Sequence, residues 1–235
     1  MLFRSLTKHS EYYEAVHLQR LIWSWQEVDL IPVRFFVVAR EIGGQIFGAF
    51  DDDSMAGFLL AVPGVTPKNK VYLHSHMLGV LPEYRNTGTG HMLKIAQKND
   101  ALARGIDLVE WTFDPLELKN AYFNLEKLGA IVRSYSPNHY GTTSSTLQAG
   151  LPTDRCVAEW YVRAPRFAGE IVTRIAVTNE IAEIKRTNAS RAKQIQTHVR
   201  ERFQECFADS LAVVGFERTE SYGNYLLARV ALPER

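Results

Sequence analysis

Two cysteines, Cys156 and Cys206, are all that the 235 residues contain. They fall in segments that read as a strand and a helix, and neither has a His or Cys at metal-ligand spacing. Neither a zinc site nor a disulfide framework is expected, and both cysteines are read as reduced core thiols in preference to a pair with each other. Charge of one sign is missing as well. Lys and Arg number 27 against 26 Asp and Glu, a formal net charge of +1, so no global field draws the chain to nucleic acid or to an anionic membrane. Any anion has to be held locally. No apolar run approaches the roughly 20 residues that span a bilayer, and Met1-Leu2-Phe3-Arg4-Ser5-Leu6 lacks the apolar core and cleavage site of a secretory signal. The expectation is a soluble cytoplasmic protein with neither membrane nor nucleic acid as partner.

Hydrophobic residues make up 46% of the chain, enough for a sizeable core, and the length suits one large domain or one domain with an appendage. Ser10 to Trp25 carries apolar side chains close to helical spacing behind a Ser10 cap. Phe35 to Ala39 and Ile46 to Phe50 read as short strands, and Asp51-Asp52-Asp53-Ser54 as a solvated turn before a strand at Met55 to Val62. The three aspartates are given no metal. Pro63 to Lys70 reads as a loop, Val71 to Val80 as a central strand with few charges, and Leu81-Pro82-Glu83-Tyr84 as its break.

From Thr89 to Arg104 a helix is expected, with Met92, Leu93, Ile95, Ala96, Ala101 and Leu102 as its apolar and small residues and Gly105 as its left-handed stop. A strand at Ile106 to Phe113 leads through Asp114-Pro115 to a helix at Glu117 to Leu128, closed by Gly129. This order implies adjacent, mainly parallel strands. Strands are further expected at Ala130 to Tyr135 and Asp154 to Val162 around a loop at Pro137 to Thr153. Past Arg163 come a charged helical stretch, Ile181 to Phe207, and strands at Leu211 to Phe216 and Tyr222 to Val230 around Thr219-Glu220-Ser221. In the helical stretch Arg191, Lys193, Arg200 and Arg202 are interleaved with Glu201 and Glu205, which reads as a solvated face.

The chemistry concentrates where the central strand gives way to a helix. A first helical turn built from Gly88, Thr89 and Gly90 exposes backbone N–H groups with little side chain to screen them, and the helix dipole adds positive partial charge. That is an anion cradle suited to pyrophosphate. Arg85 at its entrance offers a cation, and Asn86 and Thr87 offer polar side chains. It is not a P-loop, because His91 and Met92 stand where Lys and Ser or Thr would follow the glycine.

The run Met77-Leu78-Gly79-Val80-Leu81-Pro82-Glu83-Tyr84-Arg85-Asn86-Thr87-Gly88-Thr89-Gly90 resembles the signature of the GNAT superfamily of N-acyltransferases, an apolar strand, a Pro, a Tyr-Arg pair and R-x-x-G-x-G. Asn120-Ala121-Tyr122-Phe123-Asn124-Leu125-Glu126-Lys127-Leu128-Gly129-Ala130 is similar to the superfamily's second motif helix. The resemblance covers residues 1–163 and implies an α/β (α+β) fold, a splayed mixed sheet flanked by helices, with 164–235 as a C-terminal helix-plus-strands extension. It implies acetyl-CoA or another acyl-CoA as co-substrate, no metal, and a small-molecule amine as acceptor. Its pyrophosphate would lie on Arg85, Asn86, Thr87, Gly88, Thr89 and Gly90, its pantetheine along Leu78, Gly79 and Val80, with Asn120 as a further contact. The tracts His74 to Leu78, Trp111 to Leu116, Asn138 to Gly141 and Gly150 to Arg155 resemble a bacterial subgroup of predicted acetyltransferases, among which N-succinylation of amino acids is a further possibility. An exposed sheet edge in the C-terminal segment would make a homodimer feasible.

Two departures bear on catalysis. Where the family often has a Tyr that protonates the departing thiolate, this chain has Leu125, and Leu cannot donate a proton. Tyr122, three residues earlier and on roughly the same helix face, is read either as its substitute or as a core aromatic. A base is also needed, and His76 occupies the strand position where some relatives carry a Glu. An imidazole suits the role with little tuning. His74 and His76 are expected to share a face with Leu78, and Glu110, on the next strand in line with Thr112 and Asp114, is the second candidate base. Asp114 is expected to cap the turn that follows. The alternative is a catalytically silent acyl-CoA-binding protein.

Overall fold

The computed structural model describes residues 1–141 and 150–233, so part of the loop expected at Pro137 to Thr153 lies outside the described residues. The chain forms two compact units, Met1–Glu110 and Trp111–Glu234, and passes from one to the other within a strand.

The first unit contains β1 (Leu2–Ser5), α1 (His9–Trp23), α2 (Val33–Glu41), β2 (Gln45–Asp51), β3 (Ser54–Val65), β4 (Val71–Val80), α3 (Thr89–Ala103) and the start of β5 (Leu108–Phe113). Strands β1 to β4 pair in that order, all antiparallel, and β5 joins β4 in parallel through Leu73–Val109 and His74–Glu110. The parallel neighbours expected from the order strand, glycine turn, helix, strand are thus found in β4 and β5. The connections β2–β3 and β3–β4 are too short for a crossover, and only the α3 excursion supplies one. The β2–β3 turn is Asp52-Asp53, with Asp52 at φ 50°, a conformation that Asp tolerates.

Three local readings are corrected here. Helix α1 starts at His9, not behind a Ser10 cap: the Glu11 carboxylate accepts the Thr7 and Lys8 N–H groups at 2.7 and 3.0 Å, and Ser24 closes the helix at φ 54°. Phe35 to Ala39 belongs to helix α2. Phe36 and Ala39, three residues apart, are buried while Val38 is exposed, and Phe36 stacks on Tyr12 of α1 at 5.9 Å. A run of five apolar residues fits either period, and packing on α1 selects the helical one. Pro63 and Gly64 lie in β3, paired with Leu73 and Tyr72 of β4. Proline is tolerated there because the β2 pairing has ended at Ala61, which leaves that side of β3 as an edge.

The second unit holds the rest of β5, a short α4 (Leu118–Tyr122) running into a π turn (Phe123–Lys127), β6 (Ile131–Ser136), β7 (Arg155–Tyr161), β8 (Ile171–Thr178), α5 (Ile181–Thr187), α6 (Ala189–Ala208), β9 (Ala212–Arg218) and β10 (Tyr222–Ala228). Its strands run in the order β7-β6-β9-β10-β8. Strands β1 and β8 lie where the sequence pattern predicts none. The single charged helix expected at Ile181 to Phe207 is two helices, because Asn188 leaves helical geometry at φ −147° and its side chain caps α6 through the Arg191 N–H at 2.9 Å.

Charged pairs on buried carboxylates join the helices of this unit to its strands and loops. Arg200 of α6 makes two bonds to the buried Asp154 carboxylate, at 2.8 and 3.0 Å, and Tyr135 donates to the same group at 2.7 Å. Lys185 of α5 bridges Asp114 and Glu117 at 2.9 and 3.0 Å, and fully buried Tyr225 donates to the Pro115 carbonyl at 2.6 Å. Both cysteines are free and buried, as expected. No helix among the described residues is long and apolar enough to cross a membrane.

The helical assignment of α2 separates two positions that a strand would place on one face. Phe36→Ala is expected to lose about 3–5 kcal/mol of stability, whereas Val38→Ala stays within about 0.5 kcal/mol. Urea unfolding of the two variants measures the difference, and equal losses would contradict the helix.

Candidate active site

The glycine turn forms where the sequence placed it. A 3-10 turn, Pro82–Tyr84, ends β4, Asn86 takes φ 63°, and Gly88 takes φ 92° as the residue before α3. A Cβ on Gly88 would meet nothing within 4 Å, so glycine is required there by its backbone angle, not by crowding. Gly90 is under neither constraint: its φ is ordinary, and an added Cβ would make an ordinary contact 3.7 Å from Val80 Cγ2. The helix ladder begins with Met92 N–H donating to the Gly88 carbonyl at 3.0 Å. Among the described residues, the N–H groups of Gly88, Thr89, Gly90 and His91 have no backbone acceptor. Four donors without a backbone acceptor therefore lie together at the positive end of a 15-residue helix, an arrangement suited to an anion.

The side chains around the turn mostly brace it. Thr87 Oγ1 donates to the Tyr84 carbonyl at 2.7 Å and lies 2.8 Å from Thr89 Oγ1. Tyr84 donates to Asp51 at 2.9 Å. The Arg85 guanidinium donates through Nε to the Val80 carbonyl at 3.2 Å and through Nη2 to the Ile22 carbonyl at 3.4 Å. Arg85 thus ties the turn to the end of β4 and to α1.

In β4 the pairing with β3 slips by one residue: Leu60 faces Met77, but Ala61 faces Ser75. His76 is the extra residue, a β-bulge, which kinks the strand and re-aims its side chains. This corrects the expected sharing of a face. The His74 and His76 rings do lie together, 6.1 Å apart, and His76 lies 6.3 Å from Phe35 of α2. Met77 packs with α1 and α2 on that side, and a Cβ on Gly79 would strike Trp23 there at 2.7 Å. Leu78, however, packs with Leu59 and Leu93, toward α3. Simple alternation fails because the bulge consumes one residue of phase.

The His76 ring keeps an exposed edge, yet the protein packed around it pushes its pKa below the ordinary 6.5 by desolvation. Across the parallel ladder, Glu110 is buried, and its Oε1 is 4.0 Å from His74 Nδ1. The first unit therefore brings together His76, His74 and Glu110, with the glycine turn at the far end of the same strand.

Tyr122 and Asn120 belong to the second unit. Tyr122 is partly exposed, with Arg218 over its ring at 4.0 Å and Lys127 at 5.6 Å, while Leu125 is wholly buried. The expectation that they share a helix face is corrected by the π turn, in which Leu128 N–H reaches back to the Phe123 carbonyl and the side chains beyond Tyr122 change phase. Asn120 is exposed. Asp114 caps the following turn as expected, accepting the Leu116 N–H at 2.8 Å, and also binds Lys185.

Sequence reasoning missed the inward face of α3. Its buried residues are Thr89, Leu93, Lys94, Gln97 and Ala101, while Met92, expected among the apolar set, is exposed. The spacing Leu93, Gln97, Ala101 carried the signal. A rule that keeps Lys and Gln outside concealed it.

No protein-family model and no curated protein matches the chain. Solved structures do. A Desulfovibrio desulfuricans protein assigned to the GNAT family is similar with a TM-score of 0.54 at 15% identity, covering 68% of this chain and 98% of its own. Aminoglycoside 6'-acetyltransferase type Ii gives 0.55 at 20% identity over 71% and 100%. The NatB acetyltransferase complex bound to CoA and MES gives 0.52 at 13% identity over 68% and 98%. The fold is that of the GNAT acetyltransferases, a mixed, splayed sheet with flanking helices.

The two glycines of the turn separate conformation from space. Gly88→Ala is expected to destabilise the protein by about 1–3 kcal/mol through left-handed strain, and Gly90→Ala to leave stability within about 0.5 kcal/mol. Thermal unfolding of each variant measures this, and the reverse order would refute the reading of the turn.

Proposed function

We propose that this chain, with its GNAT acetyltransferase fold, is an acyl-CoA-dependent N-acyltransferase that acetylates a primary amine of a small molecule by direct attack. The observation that carries this reading is the set of four convergent N–H groups from Gly88 to His91 on the helix that leaves β4. They match a pyrophosphate in charge and in donor number, and the open space at Gly88 and the ordinary contact at Gly90 leave room for one. Acyl-CoA as co-substrate supplies an activated thioester. Asn86 and Thr87 would rim the pyrophosphate, while Arg85 holds the turn in place.

The protein's part in the chemistry is assigned to β4. The amine nitrogen forms a bond to the thioester carbon, the carbon–sulfur bond breaks, and the thiolate leaves. The ammonium proton of the attacking amine passes to the neutral imidazole of His76, and His74 with Glu110 forms the polar path behind it. A backbone N–H among Leu78, Gly79 and Val80 is proposed to polarise the thioester carbonyl. Tyr122 is proposed to protonate the thiolate and Asn120 to contact CoA. Residues 1–163 are proposed as the acyltransferase domain, and 164–235 as an extension of it.

Titration of acetyl-CoA into the protein, followed by thiol release over a panel of primary amines, tests the reading. Binding with thiol release is expected, and tight binding without release from any amine would leave an acyl-CoA-binding protein instead. His76→Ala is expected to lower kcat by about 10²-fold or more with little change in acetyl-CoA affinity.

The His76 pKa is lowered, so its free base persists at neutral pH and below. Activity is therefore expected to fall as pH drops through a value under 6.5, and His76→Ala to abolish that limb. An acid limb unchanged in the variant would remove His76 from the role.

A further inference from the structure

Helix α3 presents to the sheet a face that is only partly apolar. Lys94, in its second turn, is 2% exposed, with Gln97 at 0% beside it and Gln45 of β2 at 3% opposite. The Lys94 Nζ donates to Ser75 Oγ at 3.2 Å and to Gln97 Oε1 at 2.6 Å. Gln97 Nε2 donates to Gln45 Oε1 at 3.0 Å, and Gln45 Nε2 donates to the Gln97 carbonyl at 3.0 Å and to Asp100 Oδ2 at 2.7 Å. Asp100 is held in turn by Arg104, whose Nη2 donates to the Gly43 carbonyl at 2.6 Å. A continuous polar chain thus runs under α3 from the connection before β2 to the middle of β4.

Its end in β4 is the informative part. Ser75 immediately precedes the bulge residue His76 and makes the last β3 pair before the slip, opposite Ala61. A bulge leaves its extra residue outside the ladder, so its direction depends on what fixes the neighbours. Met77 is fixed by apolar packing against α1 and α2. On the other face, Ser75 is fixed by Lys94.

We infer that Lys94 is a positioning residue that, through Ser75, locks the β4 bulge to the helix carrying the anion cradle, so that the His76 imidazole and the cradle keep one geometry. Burying an ammonium is unfavourable unless it is bonded, so Lys94 stays inside only where Ser75 and Gln97 hold it. Desolvation accordingly pushes the Lys94 pKa well below that of an ordinary lysine. The consequence for turnover rests on the acyltransferase reading; the mechanical link does not.

The test compares Lys94→Met, Ser75→Ala and the conservative Ser75→Thr, each against wild type. Hydrogen exchange of the β4 amides at residues 74–77 is expected to quicken by about tenfold or more in Lys94→Met and Ser75→Ala, with the other strands of the first unit unchanged, and to return to the wild-type rate in Ser75→Thr. In turnover, kcat is expected to fall about tenfold while KM for acetyl-CoA stays within about twofold, again restored by Ser75→Thr. Uniform acceleration over all strands, or unchanged exchange at β4, would overturn the inference and reduce Lys94 to a packing residue. Should Lys94→Met fail to fold, the two Ser75 variants carry the same comparison. Should wild type transfer no acyl group, the proposed function fails while the exchange data still decide the role of Lys94.

Discussion

Between the pairs Ala61–Ser75 and Leu60–Met77, β4 holds one residue more than β3 can match. That surplus residue is His76, and the candidate site depends on how the strand accommodates it. The bulge turns His74 and His76 to the α1–α2 side and sends Leu78 to the α3 side. The strand therefore offers its imidazoles on one face and its apolar anchor on the other. Apolar packing holds the bulge from one side and a hydrogen-bonded lysine from the other, two unlike forces meeting in three consecutive residues.

The same strand ends in the glycine turn, where a second constraint operates. Asn86 and Gly88 both take positive φ, which turns the chain sharply enough for α3 to start with its N–H groups pointing outward. Asn and Gly are residues that reach this region at low energy. The cradle is thus built from backbone, and the side chains nearby mainly support it: Arg85 on two carbonyls, Thr87 on the Tyr84 carbonyl, Tyr84 on Asp51. An anion bound at such backbone groups, as proposed, would not require a net positive chain, in keeping with a formal charge of +1.

The second unit solves a different problem. Its helices α5 and α6 are rich in charge, yet each sends one cation inward to a buried carboxylate, Lys185 to Asp114 and Arg200 to Asp154. A buried carboxylate left without its cation is strongly unfavourable, so such pairs specify where each helix can dock. Solvated charge and docking charge look alike in composition, which is why Arg200 was indistinguishable from Arg191 or Lys193 as part of an exposed face.

Local chemistry was legible in the sequence. The glycine turn, the limits of β4, the left-handed glycines at 105 and 129, the Asp52-Asp53 hairpin and the capping role of Asp114 follow from backbone preferences that act within a few residues, and the structure has them in place. What depends on partners distant in the chain was decided only by the fold. Tyr12 made Phe36 part of a helix, β3 set the bulge that moved Leu78 from the face of His76, and the π turn parted Tyr122 from Leu125. Ser75 and Gln45 gave Lys94 a reason to be buried. A residue's own preference sets its backbone, but its side and depth are fixed by the register and burial of segments far along the chain, and no local pattern contains those.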